Sequence, residues 1–136
     1  MNRWNERALR NAAKSGDEEV LRFSFRFLDV SHPKFDIRPR GPEYFRLLLA
    51  RLRELSALRV AEFRSIRSSM LRVHPIDFQD SRVSVPGFGI PGKSDVDKRG
   101  WQFALSANEH GRVHGFLVED TFFVRWLDPD HNLYPG

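Results

Sequence analysis

The 136-residue chain predicts an α+β fold: a single domain in which one long amphipathic helix, preceded by a short N-terminal helix, packs on an antiparallel sheet of about four to five strands. Three observations predict it. A stretch free of Gly and Pro runs from just after Pro42 to about Ser68 with helical spacing of its apolar residues. Three short apolar runs after residue 100 are separated by turn formers. A chain of 136 residues that is 40% hydrophobic and 12% aromatic is long enough for one compact core and too short for two ordinary domains.

The elements follow in order. "NERALRNAAK" has helical composition and ends at "SGD", so residues 1–16 are expected to form a short, mobile helix. In "LRFSFRFLDV", Leu21, Phe23, Phe25 and Phe27 alternate with Arg22, Ser24 and Arg26, which predicts a strand with three phenylalanines on one buried face. "SHPKFDIRPRGP" connects it to the helix, which Pro42 can begin because an N–H there would have no partner. Tyr44, Leu48, Leu52, Leu55, Phe63 and Ile66 fall on one arc, while Arg46, Arg53 and Arg64 return to the opposite side. Arg59 breaks the pattern by landing inside the apolar arc, where it needs either a carboxylate such as Glu62 or a cleft to enter. "MLRVHPIDF" reads as a strand interrupted at Pro75, and residues 81–100 as a long Gly/Pro-rich loop. "WQFALS", "GRVHGFLVE" and "TFFVRWLD" complete an antiparallel meander.

Charge is unevenly distributed. Residues 1–75 carry 16 basic and 9 acidic side chains, a net +7, and residues 76–136 carry 6 and 9, a net −3. Of the 22 basic residues 18 are arginine, whose planar fork matches phosphate. This points to an anionic partner, RNA or the ribosome, met by Arg46, Arg53, Arg64 and Arg72, although GC-rich coding also favours arginine. The absence of cysteine excludes disulfides, Cys-based zinc sites and Cys nucleophiles, and favours a cytoplasmic location. No apolar run approaches the roughly 20 residues of a membrane span, so no membrane partner is expected. Walker A, GxGxxG, HExxH, EF-hand and GxSxG patterns are all missing, and no cofactor is expected.

The chemistry-bearing residues concentrate in the last strands. Alternation places Arg112 and His114 on one face, and a hairpin turning at Glu119 and Asp120 allows Arg125 onto the same face. One imidazole between two guanidiniums suits phosphate, and for RNA cleavage His114 would move a proton while Arg112 and Arg125 stabilise charge. His131 or Tyr134 would be the second proton carrier, and Arg72 and His74 could add to the site. The two cations should lower the His114 pKa. Two blander readings stand beside this one: a sheet face that meets water, and a "DPDH" segment that is a turn whose aspartates bind local N–H groups. A metal held by His110, His114, Asp128, Asp130 or His131 would need a bend the sequence does not announce, and none is assigned.

These C-terminal strands, with "GRVHGFLVE" and "TFFVRWLD" behind a basic, helix-rich half, resemble the small toxins of the RelE and ParE type over about residues 100–134. The resemblance implies a metal-independent endoribonuclease that cleaves messenger RNA on the ribosome, with roles for Arg112, His114, Arg125 and Tyr134, and a protein antitoxin as partner. The other class of function is a non-enzymatic docking module, since a chain with 12 Phe, 3 Trp and 2 Tyr is expected to expose some aromatics beside its arginines.

Overall fold

A computed structural model describes residues 18–106 and 109–135; the helix expected over 1–16 lies outside the described residues. The fold is α+β, with strands β1 (Arg22–Ser24), β2 (His74–Pro75), β3 (Gly100–Ala104), β4 (Arg112–Val118) and β5 (Thr121–Asp128), and helices α1 (Pro42–Leu55) and α2 (Val60–Ser65). The strands form one sheet in the order β1-β5-β4-β3-β2. Strands β2 to β5 pair antiparallel, giving the expected meander at β3–β4–β5, but β1 pairs parallel to β5, so the sheet is mixed rather than antiparallel.

The single long helix is replaced by two. Leu21 N–H donates to Leu58 O, and Val60 N–H donates to Glu19 O, which holds Leu58 to Val60 extended against the chain entering β1. These long-range bonds outcompete helix continuation where no Gly or Pro marks a stop. Helix α1 ends at Leu55 with Ser56 as its C-cap, and Arg59, with extended backbone (φ −76°, ψ 157°), precedes α2. Arg59 is therefore exposed rather than lodged in the apolar arc, and its backbone N–H donates to the Glu62 carboxylate.

The packing pattern survives the break. Tyr44, Leu48, Leu52, Leu55 and Phe63 share one core with Phe103, Val113, Leu117, Phe122 and Val124, and Ile66 packs at its edge. Each such side chain contributes on the order of 2 kcal/mol through burial. The first strand is shorter than its alternation suggests. It stops at Ser24, a turn follows in which Leu28 N–H meets Phe25 O, and Phe25 is exposed while Phe23 and Phe27 serve cores on opposite faces of the sheet.

The second face is covered by connecting segments instead of α-helices. Phe35, Ile76, Val85, Phe88, Val96 and Leu133 pack there against Phe116 and Trp126. The Gly/Pro-rich stretch 81–100 thus supplies a layer of the fold, fixed by Ser84 N–H to Leu133 O and Ser84 Oγ to Asn132 O, and it contains a 3-10 helix at Ser94–Arg99. Among the described residues no helix is long and apolar enough to cross a membrane.

Candidate functional site

The second face carries a cross-strand row that nobody would choose for a core. His74 on β2 is opposite Gln102 on β3, Gln102 is opposite His114 on β4, and His114 is opposite Trp126 on β5. Side chains opposite one another in neighbouring strands project to the same face, so two imidazoles and an amide become neighbours. The next row brings Ala104, Arg112 and Asp128 together.

Asp128 reaches this face because β5 bulges. His114 pairs with Trp126 but Gly115 pairs with Val124, leaving Arg125 as the extra residue. A bulge shifts the alternation by one position. Phe122 and Val124 serve the helix-side core, whereas Phe123 and Trp126 both serve the other one. Arg125 leans away from His114: its Nε donates to Phe88 O and its Nη1 to Phe27 O, with Asp29 at 3.9 Å. The expected cluster of His114 with two arginines therefore contains only Arg112, and Arg125 instead staples two connecting segments to the sheet.

His114 and Asp128 form a buried pair, with Nε2 and Oδ2 2.9 Å apart. Asp128 also accepts the backbone N–H of Asn132 at Oδ1 (2.7 Å) and of Leu133 at Oδ2 (3.0 Å). The "DPDH" segment is thus a turn built on its first aspartate. Burial by itself would raise the Asp128 carboxyl, but the His114 bond and the two N–H groups outweigh it and hold the pKa below its ordinary value. For His114, burial lowers the pKa against the opposing pull of Asp128, with Arg112 a minor contributor and Arg125 none. The pair is therefore a neutral imidazole donating Nε2–H to a carboxylate. Its Nδ1 keeps a lone pair, which has no partner among the described residues.

A pH dependence follows. Folded His114 refuses a proton that the unfolded chain binds below about pH 6.5, so its contribution to stability is complete above that pH and is lost as pH falls through the lowered folded pKa. Thermal denaturation from pH 8 to pH 5 should be flat at first and then steepen by up to about 1.4 kcal/mol per pH unit. A His114→Gln protein should lack that component; an unchanged slope would show that His114 is not the group responsible.

The pair forms the floor of a cleft of about 490 Å³ whose lining includes His74, Gln102, Arg112, His131 and Tyr134. Arg112 is half-buried, and desolvation together with the neighbouring Arg72 lowers its pKa against the pull of Asp128. Burial raises the Tyr134 phenol, and the backbone of Asp77 hydrogen-bonds its oxygen. Asp80 on the rim is tied to Arg82.

Of the sequence-predicted site residues, Arg112, His114, His131 and Tyr134 come together here and Arg72 stands beside Arg112. Arg46 and Arg53 lie exposed on α1 and Arg64 exposed on α2, in the helix layer across the sheet from the cleft, and Arg46 is paired with Glu43. They do not extend the cleft. His110 meets Ser106, Asp130 pairs with Arg40, and no three metal-ligating side chains gather among the described residues. Sequence reasoning missed Gln102, whose signal was one polar residue inside the apolar run "WQFALS". No protein family, curated protein or solved structure matches the chain.

Proposed function

We propose that the cleft binds RNA and cleaves it as a metal-independent endoribonuclease. The observation that carries this reading is the convergence of Arg112, the His114–Asp128 pair, His131 and Tyr134 in one cleft. His114 Nδ1 takes the proton of a ribose 2′-OH, with Asp128 orienting the ring through Nε2. The 2′-oxygen bonds to the adjacent phosphorus, the bond from phosphorus to the 5′-oxygen breaks, and a 2′,3′-cyclic phosphate is left. The departing 5′-oxygen receives its proton from Tyr134 or His131, while Arg112 stabilises the charge that develops on the phosphoryl oxygens. A cytoplasmic location, ribosome-bound messenger as substrate and an inhibitory protein partner, as in toxins of the RelE type, belong to the same proposal.

The test is RNA cleavage in EDTA, with and without ribosomes. The wild-type protein should cut, and Arg112→Ala should reduce the rate by about 10²–10³-fold, the usual cost of losing one charge-stabilising donor. RNA left intact by the wild type under both conditions overturns the reading. A docking module has less support, because among the described residues Phe25 is the only aromatic among the exposed large hydrophobic side chains.

A further inference from the structure

We infer that Gln102 selects adenine and cytosine, the RNA bases with an amino group at the 6- or 4-position, its Oε1 accepting an N–H of that group on the cleft floor. This rests on the reading of the cleft as an RNA site and names the part of the substrate it distinguishes. Gln102 is 3% exposed, lines the cleft, and has an Oε1 with no partner among the described residues. A buried acceptor left unpaired is unfavourable, and a ligand that brings a donor removes that penalty.

The orientation of the amide is fixed by its neighbour. His74 Nδ1 lies 3.2 Å from Pro75 O, which can only accept, so Nδ1 carries the hydrogen. With that hydrogen on Nδ1, the ring presents its lone pair at Nε2, which lies 2.7 Å from Gln102 Nε2 and receives an N–H from it. The amide nitrogen is committed to His74, and the oxygen is left for the cleft. An amino group satisfies that oxygen. A carbonyl in the same place sets two acceptors against each other, so adenine and cytosine are accepted where hypoxanthine and uracil are rejected. Arg112 beside them holds the phosphate. His74 is a positioning residue here, since it acts by orienting Gln102.

Mononucleotides test this without any cleavage step. AMP and IMP differ at the 6-position, and CMP and UMP at the 4-position, by amino against carbonyl. Calorimetric titration of the intact protein should find AMP at least about tenfold tighter than IMP, and CMP tighter than UMP by a similar factor. Gln102→Leu should collapse both ratios towards one. His74→Ala, a change at an exposed position that spares the core, should also erode them by freeing the amide to turn. Equal binding of the paired nucleotides by wild type, no binding of any of the four, or ratios that persist in both variants each overturn the inference. RNA cleavage measured in parallel separates the two claims. Cleavage with no amino preference sinks the selectivity alone, and preference without cleavage sinks the nuclease reading alone.

Discussion

Replacing Asp128 with alanine should destabilise the protein by about 3–5 kcal/mol, since three hydrogen-bond donors lose their acceptor and each costs about 1–3 kcal/mol when left unpaired away from water. The carboxylate accepts His114 Nε2–H and the backbone N–H groups of Asn132 and Leu133, and the residue is almost wholly buried. Alanine leaves three donors unpaired, two of them buried and that of Asn132 part-buried, and releases the tautomer of His114. Asp128→Asn, which keeps an acceptor but not the charge, should fall between wild type and alanine. Urea denaturation followed by near-UV circular dichroism measures the order of the three proteins. A loss below about 1 kcal/mol for the alanine variant would mean that the network is not what holds the turn.

The second large effect is expected at Gly111, the residue before β4. Its φ is +71°, and a Cβ built there would lie 1.9 Å from Asp128 O and 2.6 Å from Pro129, both backbone atoms that cannot swing aside. Gly111→Ala should cost more than about 3 kcal/mol, combining left-handed backbone strain with a steric clash. Gly89 is the control: it has φ +70° but open space around it, so Gly89→Ala carries the backbone term alone, about 1 kcal/mol. Equal midpoints in urea for the two variants would remove the clash from the explanation.

The contrast between what could and could not be read in the chain is physical. Strand alternation identified the meander, and with it Arg112 and His114 on a common face, because β3 and β4 pair in unbroken register. Apolar spacing identified Tyr44, Leu48, Leu52, Leu55 and Phe63 as core, because two helices on one side of a sheet bury the same residues that one would. The break itself depends on bonds from Leu21 and Val60 to Leu58 and Glu19, which local pattern cannot reveal. The bulge at Arg125 is equally silent: "FFVRWLD" contains no Gly or Pro, and only the partner strand shows which residue is extra. For that reason simple alternation places Arg125 beside His114 and gives no sign that Asp128 is its partner.

The parallel pairing of β1 with β5 carries a consequence for assembly. Arg22 pairs with Thr121, 99 positions later, so one of the first strands to be synthesised waits for the last. Until β5 is made, β1 has no hydrogen-bonding partner in the sheet, Leu21 and Phe23 lack their packing surface at Phe122, and the apolar face of α1 has no completed sheet to cover. Pairings this distant in sequence slow folding, because the loop must close before any contact repays it. During translation the half-made chain therefore exposes an open strand edge beside apolar side chains, the combination most prone to capture by another copy or by a chaperone.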